Sequence, residues 1–105
     1  MSKTVLVVDD STSLRQVVGM TLKSQGFEVI EGCDGKDALT KLDGRKVHLI
    51  VSDLNMPNMD GLSFVREVKK LPDYKFVPII MLTTETDDTL KAQGQAAGLK
   101  AWMVK

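Results

Sequence analysis

Thr4-Val5-Leu6-Val7-Val8-Asp9-Asp10 opens the chain with a short β-branched apolar run that ends abruptly on two acids. A run of that length with no polar alternation is a strand buried on both faces, the kind found in parallel sheets. Working outward, the next stretch changes period. Ser13 or a neighbour caps a helix whose apolar face is Leu14, Val17, Val18 and Leu22, and Gly26 ends it. Phe27–Ile30 is a second strand and Asp34-Gly35 a turn. Ala38, Leu39 and Leu42 form the inner stripe of a second helix ending near Gly44, and His48–Ser52 is the third strand. A polar loop, Asp53–Asp60, leads into a helix carrying Leu62, Val65 and Val68 on one face. Val77–Leu82 is the fourth strand. Asp87–Ala97 is a weaker helix stopped by Gly98, and Ala101–Val104 is the fifth strand. The order βαβαβαβαβ predicts an α/β fold with a parallel sheet, because parallel neighbours need crossover connections rather than hairpins.

Composition narrows the function. At 105 residues the chain is one domain, and its 43% hydrophobic content suits a packed core. Fourteen basic residues balance fourteen acidic ones, so no net field draws the chain to nucleic acid or to an anionic membrane. The longest apolar run, Phe76–Leu82, contains Pro78 and is far short of the roughly 18–20 residues that span a bilayer. The N-terminal apolar run is too short, and too acidic after it, for a secretory signal, so a cytoplasmic location is expected. Cys33 is the only cysteine and offers neither a disulfide nor a redox pair.

The chemistry lies where the acids fall. Asp9 and Asp10 end the first strand and Asp53 ends the third. Ligands of open α/β sheets bind outside the carboxyl ends of the strands, where strand order reverses. If strands one and three are neighbours, three carboxylates meet in one crevice and call for a cation. An all-oxygen set with room for water suits Mg2+ better than zinc. The fourth strand ends on the hydroxyls of Thr83 and Thr84, and the fifth leads to Lys105. Carboxylate, divalent metal, hydroxyl and ammonium together suit a phosphoryl group, whose transfer depends on positioning and on stabilising charge at its oxygens. Each residue alone also has a local explanation. The acids and threonines can cap helices or make turns, Lys105 can be solvated, Trp102 can be core, and His48 can be strand filler. Gly61 is read as supplying conformational freedom at a helix start.

Val7-Val8-Asp9-Asp10, Ser52-Asp53-Leu54-Asn55-Met56-Pro57-Asn58-Met59-Asp60-Gly61, Leu82-Thr83-Thr84-Glu85 and Lys105 together resemble the receiver domain of two-component response regulators, in particular the small CheY-like chemotaxis regulators. The resemblance spans residues 1–105. It implies a flavodoxin-like doubly wound five-stranded sheet in the order 2-1-3-4-5. It also implies that Asp53 accepts a phosphoryl group from a histidine kinase, as a signalling phosphoacceptor that catalyses its own phosphorylation and dephosphorylation rather than a conventional enzyme. By the same resemblance Asp10, Asp53 and the backbone carbonyl of Asn55 hold Mg2+ directly and Asp9 holds it through water, Thr83 and Lys105 contact the phosphoryl oxygens, and Thr83 with Trp102 forms the switch. Trp102 stands where the family usually carries Tyr or Phe. The implied partners are a chemotaxis-type kinase and a flagellar motor switch or phosphatase, with no membrane and no direct nucleic-acid contact. The alternatives are a receiver belonging to a longer regulator with a DNA-binding output, a haloacid dehalogenase-like phosphatase, a flavodoxin-like mononucleotide binder, or a receiver-like scaffold that takes no phosphate. A phosphatase of that kind wants an acid two places after its nucleophile, where Ser11 or Thr12 stands here.

The family pattern continues past the equivalent of Lys105 with a proline and a fifth helix. Without that helix, one face of strands three to five is bare, although those strands read as buried on both sides. The expectation is therefore a receiver domain incomplete at its C-terminus, either part of a longer natural protein or covering the gap by self-association or swapping.

Overall fold

The computed structural model describes residues 3–105. Its elements are β1 (Thr4–Val8), α1 (Thr12–Ser24), β2 (Glu28–Gly32), α2 (Gly35–Lys41), β3 (Leu49–Ser52), α3 (Gly61–Lys69), β4 (Ile79–Thr83), α4 (Asp88–Ala97) and β5 (Ala101–Val104). All strands are parallel and stand in the order β2-β1-β3-β4-β5. The expected α/β class and the 2-1-3-4-5 order are both present, with four helices. Among the described residues no helix is long and apolar enough to cross a membrane.

Each helix begins in the same way. Ser11, Asp34, Asp60 and Asp87 sit in extended backbone, and each accepts from the backbone N–H three residues on, satisfying a donor that the helix leaves free. This moves the first cap from Ser13 to Ser11 and turns Asp34-Gly35 from a plain turn into the start of α2. Gly98 ends α4 with φ 101°, a left-handed conformation that a side chain would strain. β2 starts one residue later than the apolar run suggests, because the Phe27 N–H closes the end of α1 on the Leu22 carbonyl (3.1 Å). β4 starts two residues late because Pro78 has no N–H and the Val77 N–H is spent on Tyr74.

Side chains alternate across the sheet. Leu6, Val8, Ile50, Ile79 and Met81 share a core with Leu62, Phe64, Val65 and Val68 of α3 and with Ala38 of α2. The opposite face carries Val5 and Val7, buried, then Leu49, Val51, Ile80 and Leu82, half-buried, and Met103, 52% exposed. Among the described residues only α1 lies on that side, against β1 and β2. Its apolar face differs from the one expected. Gly19 is buried, and a Cβ there would lie 3.6 Å from Val29 Cγ1, while Val17 is 60% and Met20 70% exposed. Met103 is open to solvent on the sheet face beyond the reach of α1, as the bare-face expectation requires. His48 is more than strand filler. Its Nδ1 accepts from the Thr4 N–H (3.0 Å) while its own N–H donates to the Thr4 carbonyl (2.8 Å), tying the start of β1 to β3.

Candidate functional site

The site forms at the carboxyl ends of β1, β3, β4 and β5, where the order of the strands reverses beside β1. Parallel pairing puts the strand ends level: Val8 lies opposite Ser52, and the Asp53 N–H donates to the Val8 carbonyl (2.8 Å). Asp9, Asp10 and Asp53 each bring a carboxylate oxygen within 4.8 Å of the others. Asp9 and Asp53 are buried and Asp10 is exposed. The Lys105 Nζ donates to Asp9 Oδ2 (3.0 Å) and to Asp53 Oδ2 (3.1 Å), offsetting part of the crowded negative charge. The remaining oxygens of the two buried acids are committed locally, Asp9 Oδ1 to the Ser11 N–H (2.9 Å) and Asp53 Oδ1 to the Leu54 N–H (2.7 Å).

Burial works to lower the Lys105 pKa, but its hydrogen bonds to Asp9 and Asp53, and their charges, outweigh it and hold the pKa above the ordinary lysine value of 10.5. A raised folded pKa contributes stability that is fully present below the unfolded value and is lost as pH rises through the folded one. The melting temperature is therefore expected to fall on the alkaline side of pH 10.5, less steeply in Lys105→Met. A thermal-melt series in both proteins measures this, and equal alkaline slopes would contradict it.

Thr83 is fully buried at the end of β4, and its Oγ1 accepts from the Glu85 N–H (3.2 Å), which leaves its own proton to donate. The indole N–H of Trp102 donates to the Glu85 carbonyl (3.0 Å). Thr83 and Trp102, proposed from sequence as a switch pair, are therefore both bonded to Glu85, one to its N–H and the other to its carbonyl. Thr84 is exposed, as is Asn55, two residues past Asp53 in the loop to α3.

Two residues at the site escaped sequence reading. Arg15 on α1 donates through Nη1 to the Asp9 carbonyl (2.7 Å) and through Nε to Glu31 Oε1 of β2 (2.9 Å), so it fixes the turn that carries the acids. Asn58 donates from Nδ2 to Asp34 Oδ2 (2.7 Å), joining the β3–α3 loop to the start of α2. For Arg15 the available signal was its position one turn into a helix that follows two acids.

A buried acid pair bridged by a lysine, a third acid beside it and a buried threonine hydroxyl is an anion-handling crevice that also has oxygen ligands for a hard cation. The sequence profile of the response regulator receiver domain matches residues 5–105. The chain belongs to that family. Among curated relatives, this receiver domain is 38% identical over 103 residues to the chemotaxis protein CheY1 of Helicobacter pylori, covering 96% of this chain and 83% of that protein. Among solved structures it resembles the chemotaxis protein CheY4 of Vibrio cholerae, with TM-score 0.95 and 47% identity, over 100% of this chain and 88% of that one. It also resembles the response regulator TrrA of Thermotoga maritima in complex with Mg2+ and BeF, with TM-score 0.86 and 29% identity, over 98% of this chain and 86% of that one. The receiver domain spans only 15% of a sensor kinase/phosphatase of Vibrio cholerae (33% identical) and 13% of a gliding motility regulatory protein of Myxococcus xanthus (37% identical).

Proposed function

We propose that this receiver domain accepts a phosphoryl group on Asp53 from a histidine kinase and relays it as a change of binding surface, in chemotaxis. The observation that carries the reading is the meeting of Asp9, Asp10 and Asp53 at one sheet edge with Lys105 Nζ between Asp9 and Asp53. The donor set fits a hard divalent cation, and Asp9, Asp10, Asp53 and the Asn55 carbonyl would hold Mg2+. When bound, it neutralises charge on the phosphoryl oxygens as they approach the acids.

The chain's own residues do the rest. An Asp53 carboxylate oxygen attacks phosphorus, the bond to the kinase imidazole nitrogen or to a small donor's oxygen breaks, and an acyl phosphate forms. Lys105 Nζ turns from the Asp53 carboxylate to a phosphoryl oxygen, keeping its charge-assisted bond to Asp9. Thr83 Oγ donates its free proton to another phosphoryl oxygen. That movement releases or redirects the Glu85 N–H, and Glu85 also holds the Trp102 indole, so the event at β4 reaches β5. Water attack on phosphorus breaks the bond to the Asp53 oxygen, releases inorganic phosphate and restores the carboxylate, which makes loss of the group the domain's own chemistry.

Similarity to CheY1 and CheY4 supports a chemotaxis kinase as donor and a flagellar motor switch or a phosphatase as reader, in the cytoplasm. The matches within much longer proteins support a second reading, a receiver module serving a larger regulator or sensor. The exposed apolar side chains Val17, Met20 and Met103, with Leu82 half-buried on the sheet face beyond α1, support a surface that is covered in the working protein, by further chain or by a second copy. Sedimentation of the 105-residue chain is expected to show concentration-dependent association. A monomer with a cooperative melt would overturn that.

Intact-mass spectrometry with Mg2+ and acetyl phosphate tests the main reading. One added phosphoryl that requires the metal and is absent in Asp53→Asn is expected. A folded, unmodified wild-type chain would defeat it.

A further inference from the structure

The loop from Leu54 to Asp60 carries the Asn55 carbonyl, and its ends are fixed by the strand and helix it joins. The Leu54 N–H donates to Asp53 Oδ1 (2.7 Å), and the Gly61 N–H returns to the Leu54 carbonyl (2.7 Å). Its middle rests on the core through Met56 and Met59 and is tied by a side-chain hydrogen bond to the start of α2. Asn58, the one non-glycine residue with positive φ (66°) among those described, turns the chain so that its amide Nδ2 reaches Asp34 Oδ2 at 2.7 Å. Immediately after it, Met59 packs on Gly35, where a Cβ would come within 2.8 Å of Met59 Cγ and 3.0 Å of the Met59 carbonyl. The anchor is rigid, since Asp34 is buried and its other oxygen caps α2 through the Asp37 N–H (2.7 Å). A left-handed turn alone is best served by glycine, so the clasp accounts for a side chain at this strained position.

We infer that Asn58 and Asp34 are positioning residues for the metal site, holding the Asn55 carbonyl where Mg2+ takes it by locking the loop to the start of α2. This rests on the reading of the carboxylate crevice as a Mg2+ site. Groups that orient a ligand without touching the ion commonly change its affinity by roughly 10- to 100-fold when removed. Neither residue reaches the carboxylates through any hydrogen bond or ion pair of its own, so the effect travels through the backbone of three residues.

Isothermal titration of Mg2+ into the full chain, with amide hydrogen exchange of residues 55–59 in the metal-free protein, tests this. Asn58→Gly keeps the turn and removes the amide. Asp34→Ser keeps a capping oxygen and removes the carboxylate. Each is expected to weaken Mg2+ binding roughly tenfold and to speed exchange of the loop amides. The exchanged pair Asp34→Asn with Asn58→Asp keeps net charge, cap and turn, restores an amide–carboxylate bond in the reverse sense, and is expected to recover both. Undiminished affinity in a folded Asn58→Gly, or failure of the exchanged pair to recover it, overturns the inference and leaves the Mg2+ reading intact. A wild-type chain that binds no Mg2+ overturns both.

Discussion

Gly61→Ala is expected to destabilise the chain by about 3 kcal/mol, with a lower urea midpoint, although Ala is the better helix former by ~1 kcal/mol. Gly61 is the first residue of α3, and its N–H is bonded to the Leu54 carbonyl. A Cβ there would be driven into the Asp53 carbonyl oxygen and would lie 2.9 Å from Leu54 Cα and 3.0 Å from Met81 Cε. The first two are backbone and cannot swing aside, and Met81 is wholly buried. Helix propensity and steric exclusion therefore predict opposite signs, and the geometry makes exclusion the larger. The shift would fall on the backbone of the proposed phosphoacceptor, so Mg2+ binding is expected to weaken with stability. A neutral or stabilising result in equilibrium unfolding would mean that α3 can withdraw from β3 at little cost. Gly61 is not among the glycines with positive φ, so the expectation that it supplies conformational freedom is corrected: it supplies space.

The same residue shows what sequence could and could not convey. Apolar runs alternating with 3.6-residue periods place strands and helices because burial on two faces, or on one stripe, leaves a local imprint. The acids at strand ends were legible for a related reason, since a polar residue that closes a buried run stands at the sheet edge. Contacts made between distant elements leave no such imprint. The clasp joins residues 34 and 58, Arg15 reaches Glu31, and the indole of Trp102 seeks a carbonyl at Glu85. Val17 misled because the apolar stripe of α1 is wider than the part of the sheet it covers, and periodicity reports the stripe alone. The uncovered face was foreseen from counting layers: strands apolar on both faces need helices on both, and the four helices present do not supply them. Gly61 belongs with the distant contacts, because a glycine required for space looks in sequence like one required for a turn.

Asp53→Asn is expected to abolish phosphoryl uptake and, without Mg2+, to raise the melting temperature. Three carboxylates lie within 4.8 Å of one another, and one ammonium bridges two of them. Asp53 therefore feels two repulsions, from oxygens within 4.8 Å, and one attraction, to the Lys105 ammonium at 3.1 Å. Replacing it by the isosteric amide removes all three and keeps the oxygen that accepts from the Leu54 N–H. The net relief is of the order of one such pair, ~1 kcal/mol once the exposure of Asp10 is discounted. Lys105 retains its bond to Asp9, so the ammonium is not stranded. Added Mg2+ should then reverse the ranking. It stabilises the wild type by RT ln(1 + c/Kd), where c is the free Mg2+ concentration, and does far less for a site with one carboxylate fewer, whose Kd is larger. Melts of both proteins, with and without the metal, give four temperatures whose order decides the matter. A variant less stable than wild type in metal-free buffer would show that the Lys105–Asp53 ion pair outweighs the repulsion. A variant that gains as much from Mg2+ as the wild type would remove Asp53 from the ligand set.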